Sequence, residues 1–205
     1  MNITLQNISK KFNNQWIFRS INLQLSSTNA YAITGPNGSG KSTLLSILSG
    51  YLSATSGTIT YELEGKKIDV QDIYSHISIA APYLELIEEY TLSELIDFHF
   101  SFSKYISGEN KESLIAFIKL QKAQDKQIRY FSSGMKQRVK LGLALFSDKP
   151  VLLLDEPTVN LDQEGIAWYH ELIKKYWLNR LLVICSNQQE EYKFTNNIIK
   201  ITDFQ

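Results

Sequence analysis

Apolar positions along the chain follow two periods in turn. Ile3, Leu5 and Ile8 lead into the polar run Ser9-Lys10-Lys11, and Ser20 to Leu25 alternates polar and apolar as a half-buried strand does. Ser26 to Asn29 reads as a turn. Ala30 to Thr34 is a short apolar strand that stops at Gly35. Beyond Lys41, Leu44, Leu45 and Leu48 recur at helical spacing, and Gly50 supplies an end signal. Gly57 to Tyr61 and Ile77 to Ala80 read as strands. From Tyr90 to about Leu120 the period becomes 3.6, carried by Leu92, Leu95, Ile96, His99, Leu114, Phe117 and Ile118, with Thr91-Leu-Ser-Glu94 as a capping box. Then come a helix at Gly134 to Phe146, a strand at Val151 to Asp155, a helix at Gln163 to Trp177, a strand at Leu181 to Ser186 and a last strand at Asn197 to Thr202. The unbroken apolar runs at Val151 and Leu181 are typical of parallel strands covered on both faces. Alternation of this kind predicts an α/β fold with a mostly parallel sheet, preceded by a strand-rich N-terminal part and interrupted by a helical insertion.

Composition narrows the class. The chain has 205 residues, 43% of them apolar and 12% aromatic, which suits one globular domain with a substantial core. Lys plus Arg total 21 and Asp plus Glu total 21, so bulk charge gives no grip on nucleic acid and no nucleic-acid partner is expected. Cys185 is the single cysteine, which excludes an intrachain disulfide and fits a reducing compartment. No apolar run approaches the roughly 20 residues of a membrane span, and the first residues lack the pattern of a signal peptide. The expectation is a soluble, cytoplasmic protein.

The chemistry is concentrated in Gly35-Pro36-Asn37-Gly38-Ser39-Gly40-Lys41-Ser42. This run matches G-x-x-x-x-G-K-[ST] between a strand and a helix, the setting a P-loop requires. Its glycines let successive backbone N–H groups turn toward a phosphate, and the helix beginning near Lys41 adds its own free N–H groups and dipole. Lys41 would reach the β and γ phosphates, Ser42 would ligate Mg²⁺, and Thr43 would bond another phosphate oxygen. The apolar strand ending at Asp155-Glu156 supplies the matching acids. Asp155 would hold the Mg²⁺ shell, and Glu156 would polarise an attacking water.

Further motifs resemble the ATP-binding cassette (ABC) ATPases. Phe131-Ser-Ser-Gly-Met-Lys-Gln-Arg138 resembles that family's signature sequence, and Asp155-Glu-Pro-Thr158 followed by Asn160-Leu-Asp162 looks like its Walker B and D-loop. The resemblance covers the whole chain. It implies one nucleotide-binding domain over 1–205, with a catalytic core at about 1–81 and 147–205 and a helical subdomain at about 82–146. It also implies that Ser132, Ser133 and Gly134 contact nucleotide held by a second such domain, in a head-to-tail homo- or heterodimer around two ATP. Phe12 matches the position of the ring that stacks on adenine, with Trp16 a nearby substitute and ordinary packing the alternative. Transmembrane permease subunits would be the partners, met at the inner face of the cell membrane. Phe98, Phe100, Phe102 and Tyr105 would line a groove for such a partner or fill a core between small helices, the second being preferred. The signature spelling leans toward an exporter.

Two polar residues expected from the resemblance are absent. The glutamine after the Ile77 strand is replaced by Ala81-Pro82, and the histidine after the Leu181 strand by Asn187. Neither Ala nor Pro has a side chain that can hydrogen-bond, and Asn carries no positive charge. Slow ATP turnover is therefore expected, with a barely hydrolysing, nucleotide-gated binding module as the alternative. Arg138 is expected to make a surface or interface salt bridge.

Overall fold

The computed structural model describes residues 1–177 and 179–205. The chain divides into two compact units. The first takes in Met1–Ile79, Lys149–Glu156 and 179–205; the second Ala80–Asp148 and Pro157–Trp177. Residues 157–177, expected with the core, fall in the second unit.

The first unit begins with a hairpin of β1 (Asn2–Phe12) and β2 (Gln15–Ser26). The strand β3 (Ala30–Thr34) runs into the Gly35–Gly40 loop and α1 (Lys41–Leu48), followed by β4 (Ser56–Leu63) and β5 (Lys66–Ile68). The antiparallel sheet has the order β2-β1-β4-β5, the expected N-terminal β subdomain. β1 runs past the polar Ser9-Lys10-Lys11 because each finds a partner. Ser9 Oγ accepts from Ser20 N–H at 2.8 Å, Lys10 Nζ donates to Ser53 O at 2.8 Å, and Lys11 N–H donates to Thr55 Oγ1 at 3.1 Å.

The second sheet, with β6 (Ile77–Ala80), β7 (Val151–Asp155), β8 (Leu181–Cys185) and β9 (Asn197–Lys200), has the order β6-β7-β8-β3-β9. β7 pairs with β8, β8 with β3 and β3 with β9, all parallel, with Val151 opposite Leu181 and Ala30 opposite Leu182. Every residue of β7 and β8 is buried, as their apolar runs predict. Ile3, Leu5, Phe18, Ile33, Leu44, Leu45, Leu153 and Val183 belong to one core. It clamps the end of β3 to the start of α1 and so fixes the loop between them. The last strand stops at Lys200, short of the expected Thr202, because Ile201–Phe204 turns into a 3₁₀ helix with Ile201 fully buried.

The second unit is helical: α2 (Leu92–Ser101), α3 (Lys111–Phe117), α4 (Ser133–Phe146) and α5 (Gln163–Tyr176). The expected capping box at Thr91 forms, with Glu94 N–H donating to Thr91 Oγ1 at 3.2 Å and Thr91 N–H donating to Glu94 Oε2 at 2.8 Å. Leu114, Ile115, Ile118, Leu141, Leu145 and Trp168 are buried here. The Phe98–Tyr105 aromatics divide between the two expected readings. Phe100 and Tyr105 stack at 3.5 Å, while Phe98 and Phe102 remain 42% and 76% exposed. No helix among the described residues is long and apolar enough to cross a membrane.

Candidate active site

In the first unit, Ile17, Asn37, Gly38, Gly40, Lys41, Ser42, Thr43 and Glu156 line a cavity of about 200 Å³. Its floor is backbone. Gly38 and Gly40 have φ of 79° and 101°, the left-handed region where a side chain is strained. A Cβ on Gly40 would lie 2.5 Å from Ile17 Cγ2, so both the conformation and the space require glycine. Pro36 O accepts from Ser39 N–H at 3.2 Å, which closes the turn. Lys41 is buried, and its Nζ donates to Gly35 O at 2.9 Å and Pro36 O at 3.1 Å. An ammonium that among the described residues is bonded only to neutral carbonyls, at the mouth of a loop of N–H groups, is poised to take an anion.

The acids come from the end of β7. Asp155 is 2% exposed, and its Oδ1 has no hydrogen-bond partner among the described residues. Burial pushes its carboxyl above the usual range, the Ser42 hydroxyl pulls it back, and the neighbouring Glu156 pushes it up again. A buried, partly orphaned carboxylate beside a serine hydroxyl is an all-oxygen donor pair that suits Mg²⁺. A cation there would complete its shell with water and phosphate oxygens. Glu156 has φ 42°, a strained backbone held in part by its N–H donating to Cys185 O at 2.9 Å. Asn187, after β8, reaches the same loop, its Nδ2 lying 3.3 Å from Asn37 Oδ1.

This geometry predicts opposite effects for one substitution. Asp155→Asn removes a desolvated charge, so the nucleotide-free protein is expected to melt about 2–4 °C higher. The same change is expected to abolish the added stabilisation given by Mg²⁺ with ATP. Thermal melts with and without Mg·ATP check both; a lower nucleotide-free midpoint would contradict the desolvation cost assigned to the Asp155 carboxylate.

Phe12 and Trp16 separate by strand register. Phe12 pairs with Gln15 and Lys11 with Trp16 across the hairpin, so Phe12 and Trp16 take opposite faces, and a bulge follows at Ile17. Ile17 lines the cavity, while Phe12 is 48% exposed with Lys10 Nζ 4.9 Å from its ring centre. Trp16 instead carries Lys11 Nζ at 5.4 Å and the Arg19 guanidinium at 4.7 Å from its ring centre. Ile17 itself had no sequence signal, lying before the strand expected at Ser20 to Leu25.

In the second unit, Ser132 caps α4 and its Oγ accepts from Met135 N–H at 3.2 Å. Ser132, Ser133, Gly134, Met135, Arg138, Asn160, Leu161 and Asp162 line a separate cavity of about 300 Å³. A Cβ on Gly134 would approach Asn160 O to 2.9 Å, so glycine allows the helix start and the Asn160 loop to meet. Gln137 Nε2 donates to Pro157 O at 2.8 Å and fixes that loop further. Arg138 makes no ion pair among the described residues, and its guanidinium lies 4.9 Å from the Trp168 ring centre, within cation–π range. Pro82 contributes only its carbonyl, which accepts from Lys140 Nζ at 3.0 Å.

The ABC transporter family model matches residues 18–159, a span that includes the phosphate loop, the Ser132–Gly134 turn, Asp155 and Glu156. The lantibiotic transport ATP-binding protein SrtF of Streptococcus pyogenes is 30% identical over 186 residues, 90% of this chain and 79% of SrtF. The sulfate/thiosulfate import ATP-binding protein CysA of Mesostigma viride is 34% identical over 209 residues, 97% of this chain and 59% of that protein. A solved dimeric, post-hydrolysis state of the ATP-binding cassette MJ0796, bound to ADP and Pi, superposes with a TM-score of 0.82 at 24% identity. That match covers 97% of this chain and 93% of the other.

Proposed function

The chain belongs to the ABC transporter family as one of its ATP-binding cassettes, and from that membership we propose that it binds and slowly hydrolyses ATP to drive the transmembrane subunits of an exporter. The observation that carries the reading is the cavity where Lys41, Ser42 and Glu156 meet on a floor of glycine backbone, with the orphaned Asp155 carboxylate beside Ser42.

In this reading Gly35–Thr43 wrap the phosphates and Phe12 stacks on the adenine. Mg²⁺ held by Ser42 and Asp155 would neutralise charge on the phosphates. Glu156 orients and deprotonates the attacking water, and Asn187 donates a hydrogen bond near the terminal phosphate. Residues 1–205 act as one nucleotide-binding domain, with 157–177 joining 80–148 in the helical part. Ser132, Ser133 and Gly134 serve nucleotide held by a second domain, homologous or identical, in a head-to-tail pair. The assembly sits peripherally on the inner face of the cell membrane. Export is supported by the signature spelling, while likeness to CysA, named as an import protein, supports import.

Slow turnover follows from Pro82 and Asn187. Losing one preorganised polar contact at a phosphoryl-transfer centre costs on the order of 10²-fold in rate. Asn187→His is therefore expected to raise kcat roughly tenfold or more in a steady-state phosphate-release assay. An unchanged kcat would sink the claim that Asn187 limits the rate. A second reading, a nucleotide-gated module that hardly hydrolyses, rests on the same two residues. It would be upheld if the unaltered chain and its Glu156→Gln variant released phosphate at one background rate.

A further inference from the structure

After β9 the chain turns through Ile201–Phe204 and passes beside the phosphate loop. Ile201 is fully buried, with Cγ2 so near Gly35 that a Cβ there would stand 2.7 Å away. This anchor carries Gln205 to the loop, where its Nε2 donates to Ser39 O at 3.1 Å. Ser39 is 4% exposed, so a carbonyl there needs a partner from the protein.

The bond bears on the neighbouring amide. A trans peptide is planar, so its C=O and N–H point in opposite directions. The direction of Ser39 C=O therefore sets the direction of Gly40 N–H, and Gly40 lines the cavity. Gly40 follows the peptide with φ 101°, and without a Cβ it tolerates either orientation at little cost. A flipped peptide would turn a carbonyl dipole toward an incoming phosphate in place of an N–H. The loop's other held carbonyls, Gly35 O and Pro36 O, are bonded by Lys41 Nζ, the group proposed to move onto the phosphate. Gln205 approaches from outside the cavity lining, so its bond need not be broken when nucleotide enters.

We propose that Gln205 is a positioning residue for the phosphate loop, its side-chain amide holding the Ser39–Gly40 peptide with Gly40 N–H turned toward the nucleotide phosphates. The inference rests on the reading of that cavity as the nucleotide site. It assigns to a residue far along the chain from the loop the task of preorganising an anion-binding amide.

The test is made on the full chain. Gln205→Glu keeps the side chain's size and removes the donor; Gln205→Leu removes all polarity. Titration of a fluorescent, nonhydrolysable ATP analogue with Mg²⁺ is expected to show Kd raised roughly 3- to 10-fold in both variants. KM for ATP should rise in step, with kcat at saturating ATP and the nucleotide-free melting midpoint unchanged. A Kd within twofold of the parent for both variants overturns the proposal. So does a fall in kcat with KM unchanged. If the parent binds no analogue, the nucleotide-site reading fails first and the proposal with it. If the parent binds and the variants bind equally well, only the role of Gln205 fails.

Discussion

Replacing Glu156 by Gln is expected to lower steady-state ATP hydrolysis at least about 100-fold while leaving affinity for Mg·ATP within about twofold of the parent. The two side chains have the same shape, so the cavity lining is kept. What is lost is the carboxylate that can take a proton from water. The backbone supports this division. Glu156 sits at φ 42°, tied to β8 by its N–H to Cys185 O, and that bond is indifferent to the side chain's charge. A left-handed, non-glycine residue at the end of a buried strand costs on the order of 1–3 kcal/mol and persists where the surrounding structure enforces it. Phosphate release measured beside analogue titration separates the two effects. A variant that hydrolyses as fast as the parent would remove Glu156 from the reaction.

Lys41→Met should act on the other quantity. Its ammonium is the cation at the mouth of the loop, buried and bonded to two carbonyls of that loop. Truncating one member of a desolvated, hydrogen-bonded charge pair costs about 2–5 kcal/mol. Affinity for Mg·ATP is therefore expected to fall at least about 30-fold. Calorimetric titration checks it. The folded chain should survive the change, because the two carbonyl bonds lost are worth only about 1 kcal/mol each. Near-parental affinity would mean that backbone amides alone hold the phosphates.

The parts of the fold that were legible in the sequence are those fixed by local chemistry. Val151–Asp155 and Leu181–Cys185 form strands as their apolar runs require, and the glycines at 35, 38 and 40 take the left-handed or extended conformations that the motif needs. The Thr91 cap forms because both partners lie within three residues. What stayed hidden depends on contacts distant in sequence. The periodic block from Tyr90 to Leu120 is two helices, separated by a segment in which Gly108 adopts φ 85°. The polar end of β1 is a strand only because Ser53, Thr55 and Ser20 meet it. The same holds at the site. Lys41, Ser42, Asp155 and Glu156 announce themselves by spacing, whereas Ile17 and Gln205 are ordinary residues whose importance comes from what they touch. The contact of Arg138 with Trp168 was hidden for the same reason, since nothing near Arg138 in sequence foretells that ring.

The two cavities pose the remaining question. One gathers the Lys41 ammonium, the Ser42 hydroxyl and the Glu156 carboxylate; the other offers a serine-capped helix start with no acid in its first turn. In the proposed function each supplies half of what encloses a triphosphate, and two copies would supply both halves twice. Sedimentation of the Glu156→Gln chain with saturating Mg·ATP measures this most directly. A species of twice the chain mass, reverting to single chains when ATP is replaced by ADP, is the predicted result. A nucleotide-loaded chain that keeps its single mass at every protein concentration tested would contradict it.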